Sequence, residues 1–234
     1  MALKIMIYDN TVTGIFLERL NRFLARVLIN NEEHFVHVKN TGRCKEILFR
    51  GQRVILQFHG DSPQRKTKYS LIGVWKEDML INIDSQVPNS VIFDGIKANL
   101  ISEIKDTTTL KKEQTFGNSR FDMYYENSHS KGFIEVKGVT LEENMISMFP
   151  DAPTIRGTKH IRELVHAKKD GYEGFIVFLV QMRGPTLFKP NSEMDSDFSN
   201  SLKEAASRGV NILVYDSIVT ENSIVLGNKI PHKL

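Results

Sequence analysis

The sequence predicts an α+β protein in two parts, a small N-terminal β-barrel and a larger mixed β-sheet flanked by helices. Residues 1–85 contain about five short segments with strand-like alternation, separated by glycines and by DSP at 61–63. Residues 86–234 combine helical periodicity with apolar runs in the order α-β-β-β-α-β-α-β. This order favours helices on both faces of one sheet.

The strands of the first part are rich in β-branched and aromatic residues. FLERLNRFLARVLIN alternates in part between polar and apolar positions, and EHFVHVKN, QRVILQFHG, KYSLIGVWK and DMLINID follow it at short intervals. Short strands with polar connections are typical of a small closed barrel.

The second part begins with a helix predicted over residues 89–105, where apolar residues recur at helical spacing. A strand follows over residues 107–116, and then a hairpin over residues 119–141. TKHIRELVHAKKDG and SDFSNSLKEAASRG are helical patterns that each end at glycine. GFIVFLVQM and VNILVYD are apolar runs, which is typical of strands buried on both faces.

Composition places the chain among globular proteins, with 41% hydrophobic and 25% charged residues. A net charge of +3 permits nucleic-acid binding without predicting it. The single cysteine, Cys44, excludes a disulfide framework and a cysteine-rich zinc site, and it fits a reducing cytoplasmic location. No apolar run approaches membrane-spanning length, and polar residues interrupt the N-terminus too early for a signal peptide.

Three charged residues, Asp122, Glu135 and Lys137, lie inside the strands of the predicted hairpin. Side chains alternate between the faces of a strand, so Phe121 and Met123 are predicted to share one face. Aligning the apolar faces of the two strands then places all three charged residues on the opposite face. Two registers achieve this, with Asp122 across from either Lys137 or Glu135. Two carboxylates that close would repel each other unless a cation lay between them.

Mg²⁺ is a cation of the required kind, because it takes one or two carboxylates, waters and phosphate oxygens. A neighbouring lysine orients water and stabilises charge on a phosphate. The spacing D-(x)12-E-x-K therefore indicates a phosphodiesterase site. The same spacing also fits a solvated strand face with an ordinary Glu–Lys pair.

The order of acid, E-x-K strand and helix resembles the PD-(D/E)xK nuclease fold. Over nearly its full length the chain resembles the sugar fermentation stimulation protein A family, in RLNRFLARV, HVKNTGRCKEIL, SRFDM, IEVKGVTL, MFPDAPTIRGTKHIREL and VFLVQM. The resemblance implies an OB-like barrel over residues 1–85, a nuclease-like domain over 86–234 and non-specific DNA binding. It also implies Mg²⁺ or Mn²⁺ at Asp122 and Glu135, with Lys137 as the catalytic lysine. Phe121 stands where the motif's name has proline.

Other polar residues are candidates for the same site. Glu103, on the first predicted helix, is the acid that the resemblance adds to the metal site, and Glu113 is its rival. Asp151 either caps the following helix or reaches the metal. Gln181 either contacts the site or marks the tip of its strand.

Basic residues suggest two DNA-contacting surfaces. Arg156, Lys159 and His160 begin a helix, whose N-terminus favours phosphate. In the barrel the candidates are Arg22, Arg26, Lys39 and Arg43, with Arg22 and Arg26 on one face if they share a strand. Phe35 and Trp75 are either stacking surfaces for bases or core residues.

Two functions follow from these observations. In the first, the protein is a Mg²⁺-dependent nuclease that uses the barrel as a DNA clamp. In the second, it is a DNA-binding regulator of sugar metabolism whose nuclease-like domain does not cut. RNA stays open as a substrate, and cutting both strands of a duplex would favour a homodimer.

Overall fold

A computed structural model describes residues 4–40, 42, 44–61 and 63–234, and it confirms the two-part architecture. After a short strand β1 (Met6–Ile7), the N-terminal part contains β2 (Thr11–Arg19), β3 (Leu24–Ile29), β4 (Glu32–Val38), β5 (Arg53–Phe58), β6 (Tyr69–Lys76) and β7 (Met79–Asn82). Strands β2, β3, β4, β6 and β5 pair in a closed ring, in which β4 and β6 are parallel. Closure leaves these five strands without a free edge.

The prediction that Arg22 and Arg26 share a strand face is wrong. FLERLNRFLARVLIN forms two strands, β2 and β3, joined by a turn over residues 20–23. The Asn21 side chain accepts a hydrogen bond from the backbone N–H of Phe23, which stabilises the turn locally. Arg22 therefore lies in the turn, and Arg26 lies on β3.

The second part contains three helices and two sheets. Its elements are α1 (Val87–Lys97), β8 (Thr109–Phe116), β9 (Ser119–Glu126), β10 (Lys131–Val139), β11 (Leu141–Glu143), β12 (Ile146–Phe149), α2 (Ile155–Lys169), β13 (Glu173–Val180), β14 (Leu187–Pro190), α3 (Ser196–Ser207), β15 (Asn211–Thr220) and β16 (Ser223–Lys229). The seven-stranded sheet has the order β1-β16-β15-β13-β10-β9-β8, with β10, β13 and β15 parallel. Strands β11, β12 and β14 form a second sheet that the sequence analysis did not predict.

Helix α1 is shorter than predicted. It begins at Val87, with Pro88 in its first turn, and ends at Lys97. Asn99 has a φ of 58°, in the left-handed region that interrupts a helix. Glu103 consequently lies beyond the helix, in a turn.

The helices cover both faces of the larger sheet, as predicted. Helix α1 packs on the face that carries Met123 and Ile134, and α2 packs on the face that carries Phe133. Barrel residues Ile55 and Ile72 belong to the same apolar cluster as α1. The barrel is therefore fixed against the second domain by a shared core, since burying such surface is the main stabilising term in folding.

Strand β1 joins the larger sheet, although it lies within the segment predicted as barrel. Met6 and Ile7 pair with Ile224 and Ser223 of β16. The chain then leaves the sheet, forms the barrel and returns through α1. None of the helices within the described residues is long and apolar enough to span a membrane.

Candidate metal and nucleic-acid site

The β9–β10 hairpin brings Asp122 and Glu135 together. The paired residues Gly132–Tyr125 and Ile134–Met123 define a register that places Asp122 across from Glu135. Of the two registers left open by the sequence, the hairpin adopts this one. The pairing ends at Ile134–Met123, so the strands separate where the two acids lie.

The Asp122 carboxylate occupies the gap between the separating strands. Its Oδ2 accepts a hydrogen bond of 2.8 Å from the backbone N–H of Val136, and its Oδ1 accepts one of 2.7 Å from Asn89 of α1. Burial raises the pKa of Asp122, and the charge of Glu135 raises it further, while the Val136 hydrogen bond, Lys137 and Asn89 act in the opposite direction. The ionised form of Asp122 is therefore held at a cost that a nearby cation would relieve.

The alternation of side chains between the two faces of β9 is interrupted at Asp122. Phe121 was predicted to share a face with Met123, and this is wrong: Phe121 packs against the rings of Phe133 and His160, with centroid distances of 5.3 and 6.0 Å. Met123 instead belongs to the apolar cluster that includes residues of α1, on the opposite face of the sheet. On the neighbouring strand β8, Glu113 is in register with Asp122 and has a φ of 54°, which interrupts the regular ladder at this point.

Glu135 is only 2% exposed and is held by two side chains. Nζ of Lys137 and Nδ1 of His160 both donate to its Oε1, each at 2.5 Å. Burial alone would raise the pKa of Glu135, but the His160 hydrogen bond and the Lys137 charge outweigh burial and lower it. Glu135 is therefore held as a carboxylate.

The prediction that His160 contacts DNA is contradicted by its burial. Its residue surface is 6% exposed, and its imidazole is enclosed between Glu135 and Phe121. Helix α2 directs its buried stripe, which includes Ile161 and Leu164, into the sheet, and His160 lies on that stripe. His160 therefore fixes the orientation of the Glu135 carboxylate from the side of the sheet that α2 covers.

The second oxygen of Glu135 is free to bind an ion. Oε2 is buried and has no hydrogen-bond partner among the described residues. A buried carboxylate oxygen without a hydrogen-bond partner is energetically costly. Oε2 also lies near Asp122, whose ionised form is disfavoured by burial and by the charge of Glu135. The two residues fit a divalent cation such as Mg²⁺, which commonly takes one or two protein carboxylates and completes its shell with water and phosphate. In residues 4–40, 42, 44–61 and 63–234, no group of three or more His, Cys, Asp or Glu side chains is arranged to hold a metal.

Neither candidate for a further acid lies in this cluster. Glu103 forms an ion pair with Lys229, and its other carboxylate oxygen lies 3.4 Å from the hydroxyl of Tyr215, past the far end of α1. Glu113 is exposed and lies 3.5 Å from Arg120.

Asp151 does not cap α2, because Thr154 does so by accepting a hydrogen bond from Gly157. Burial raises the pKa of Asp151, and the charge of Arg19 opposes the rise. Asp151 instead faces the barrel, where a Cβ on Gly42 would lie 2.6 Å from its Oδ2.

Gln181 links the site to the barrel rather than marking an exposed strand tip. Its Nε2 donates to Oδ1 of Asn82 and to the backbone carbonyl of Asp84, at 3.0 and 3.1 Å. A Cβ on Gly138, the residue after Lys137, would lie 2.3 Å from Oε1 of Gln181. Strand β10 is therefore packed so tightly against the Gln181 side chain at Gly138 that a larger residue would force Gln181 to move.

Two of the basic residues predicted to contact DNA are neutralised by carboxylates. Nζ of Lys39 lies 2.8 Å from Oδ2 of Asp84, whose side chain is 1% exposed. Arg26 pairs with Glu18 and Glu33 at 2.5 and 3.1 Å. Both cations are thereby paired within the protein, and their contact with DNA stays a prediction.

The remaining basic candidates lie at the surface or outside the described residues. Arg22 and Arg156 are exposed. Lys159 is exposed and donates to the carbonyl of Asn118 at 2.9 Å. Arg43 lies outside the described residues.

A basic groove on the barrel was not predicted from the sequence. Arg65 and Lys66 line it, together with Phe23, which is 52% exposed. The run QRKTK at 64–68 was the available signal. Of the two aromatic candidates, Phe35 is 58% exposed and is not a core residue, whereas the Trp75 ring is covered by the Arg53 guanidinium at 4.1 Å.

Comparisons with known proteins agree over both parts of the chain. The family described as the sugar fermentation stimulation protein N-terminal OB domain matches residues 17–83, and the one described as the sugar fermentation stimulation protein RE domain matches residues 86–223. A sugar fermentation stimulation protein homolog from Alkaliphilus oremlandii is 56% identical over 96% of this chain and 97% of its own. A homolog from Clostridium beijerinckii is 51% identical over 94% of this chain and 96% of its own. The structure of Pyrococcus furiosus SfsA in complex with Ca²⁺ superimposes with a TM-score of 0.89, at 29% identity and full coverage of both chains.

Proposed function

This chain belongs to the sugar fermentation stimulation protein family, and we propose that it is a non-specific DNA-binding protein that hydrolyses phosphodiester bonds with Mg²⁺ or Mn²⁺. The observation that carries the proposal is the unpartnered, buried Oε2 of Glu135, which lies near the charge of Asp122 and next to Lys137. An acid pair with a free oxygen and an adjacent ammonium group is the donor set that metal-assisted phosphodiester hydrolysis requires.

The structure of the relative from Pyrococcus furiosus is of a complex with Ca²⁺, which supports the proposal that this family binds a divalent ion. In this chain Asp122 and Glu135 would hold the ion. When bound, a divalent ion supplies charge neutralisation at the phosphate and lowers the pKa of a bound water.

The side chains of the protein have separate parts in this function. Lys137 uses one hydrogen to hold Glu135 and has two left to donate to a phosphate oxygen or a water. His160 keeps Oε1 of Glu135 occupied, so that Oε2 is the oxygen turned toward an ion. Hydrolysis adds water across one P–O bond, which leaves a phosphate on one product and a hydroxyl on the other.

The test is incubation of the purified protein with labelled single- and double-stranded DNA and RNA in Mg²⁺, Mn²⁺ or EDTA. We expect cleavage with a divalent ion and binding alone in EDTA, and we expect Asp122→Asn and Lys137→Ala to abolish cleavage. Calorimetric titration with Ca²⁺ in the absence of nucleic acid gives an independent measurement, in which Asp122→Asn should weaken ion binding. Thermal melts of all three proteins separate loss of chemistry from loss of folding.

The second candidate function is a DNA-binding regulator of sugar metabolism whose nuclease-like domain does not cut. The observation in its favour is that the described residues contribute only two acids to the site and no group of three metal-binding side chains. Normal DNA binding by the parent protein, with no cleavage under any divalent ion, would establish this alternative over the enzyme.

A further inference from the structure

A groove of about 640 Å³ opens on the barrel beside its junction with the second domain. Its walls are the β2–β3 turn with Phe23, the outer face of β4 with His37, and the loop before β6 with Arg65 and Lys66. Gln86, the residue that precedes α1, also lines the groove. The volume is of the size that holds a small ligand or a few unpaired nucleotides.

The groove carries positive charge that the protein does not neutralise. Arg65 donates to the hydroxyl of Ser70 at 2.9 Å, and neither Arg65 nor Lys66 has a carboxylate partner within the described part of the chain. The pKa of His37 is lowered by burial and then by the charges of Arg65 and Lys39, while Asp84 acts in the opposite direction. Arg65 and Lys66 therefore give the groove a positive field, which attracts phosphates.

Two phenylalanines beside the groove are exposed to solvent. Phe23 is 52% exposed, and its position is fixed because its carbonyl accepts a hydrogen bond of 2.8 Å from Val38. Phe35 is 58% exposed and lies on the same outward face of β4 as His37, two residues away. Aromatic rings in a cationic groove suit unpaired bases, which stack on them and place their phosphates on the cations. Bases inside a duplex have no free faces for such stacking.

The groove and the acid site both adjoin the first turn of α1. Gln86 is the N-cap residue of α1, and Asn89, three residues later, donates to Oδ1 of Asp122. Three residues of helix advance about 4.5 Å along its axis. Gln86 in the groove wall is thus about one helical turn away from a residue that holds Asp122.

We propose that this groove binds a single-stranded segment of nucleic acid, with bases on Phe23 and Phe35 and phosphates on Arg65 and Lys66, and directs that segment to Asp122 and Glu135. The inference rests on the proposed function and specifies its substrate as unpaired strand. A duplex bound over the whole surface would instead use phosphate contacts and leave both rings unstacked.

The test uses fluorescence anisotropy in EDTA with a labelled dT15 and a duplex of the same length, over a series of salt concentrations. Phe23→Leu should weaken dT15 binding at least about fivefold, because stacking contributes ~1–3 kcal/mol per base, and should leave duplex binding unchanged. Lys66→Gln should reduce the slope of log affinity against log salt for dT15 by about 0.7, the value for one phosphate contact on a single strand.

Two matched variants control for exposure and charge. Phe49→Leu changes a phenylalanine that is 53% exposed and lies outside the groove, and Lys203→Gln removes an exposed cation from α3. Neither should alter dT15 binding.

Three results would overturn the proposal: equal effects of Phe23→Leu and Phe49→Leu on dT15, tighter binding of duplex than of dT15, or competition by dTMP at the same concentration as by dT15. The last would identify a small phosphorylated ligand as the occupant. Failure of the parent protein to bind any nucleic acid would remove the proposed function as well, whereas duplex binding without these groove effects would remove the groove alone.

Discussion

Replacing His160 by alanine should destabilise the protein and weaken divalent-ion binding together. His160 lies below Glu135 and donates to Oε1 at 2.5 Å, while Lys137 donates to the same oxygen. Without the imidazole, Glu135 keeps one cationic partner, and its unpartnered Oε2 no longer has a fixed direction.

The size of the effect follows from burial. Glu135 is 2% exposed and His160 is 6% exposed, and removing one partner of a buried carboxylate costs ~3–5 kcal/mol. Because Lys137 remains, we expect the lower end of this range, about 3 kcal/mol. His160→Gln keeps an N–H donor for the carboxylate, so we expect a smaller loss of about 1 kcal/mol.

Urea denaturation in EDTA measures these losses, and repetition in Ca²⁺ measures ion binding by the folded state. At a Ca²⁺ concentration of ~100 Kd the parent should gain about 2.7 kcal/mol, and His160→Ala should gain less. His166→Ala is the matched control, since His166 is exposed on the same helix, and its effect should stay within ~0.5 kcal/mol.

A loss below about 1 kcal/mol for His160→Ala, at an unchanged dependence on urea, would refute the reasoning that this imidazole holds Glu135. An undiminished gain from Ca²⁺ in a destabilised His160→Ala would show that the residue only fills space.

Three further outcomes are expected. In EDTA at pH 7, Asp122→Asn should raise the free energy of unfolding measured in urea, because burial and the charge of Glu135 raise the pKa of Asp122. This advantage over the parent should shrink as the pH is lowered through the raised pKa of Asp122, because Asp122 in the parent then takes up a proton and loses its unfavourable buried charge. Gly138→Ala should cost ~1–3 kcal/mol in the same assay, because the new Cβ would lie 2.3 Å from Oε1 of Gln181, and an unchanged midpoint would contradict this close approach.

The sequence was sufficient to predict the hairpin and its charged residues. The turn formers of NSHSKG and the alternation on either side are local signals, and local signals determine strand existence. The sequence left two registers open for this hairpin, because the choice between them depends on how β10 packs in the sheet. The face of Phe121 was mispredicted, since a simple period of two does not record the interruption opposite Glu113.

The partners of charged residues were the least predictable feature. Lys39 and Asp84 are 45 positions apart, and nothing in either local sequence shows that they meet. His160 could have been recognised, because it shares a buried helical stripe with Gly157, Ile161 and Leu164 at spacings of three and four. Its basic neighbours Arg156 and Lys159 at the start of the helix led instead to the prediction of a DNA contact.

The pairing of β1 with β16 gives the barrel two covalent attachments to the larger sheet, one before β2 and one through α1. A barrel connected to the sheet at both ends resists hinging, so the distance from its surface groove to Asp122 and Glu135 is held constant. It also means that cutting the gene at residue 85 does not separate two independent modules. The C-terminal fragment would lose β1 and expose the backbone edge of β16, which invites pairing with other chains.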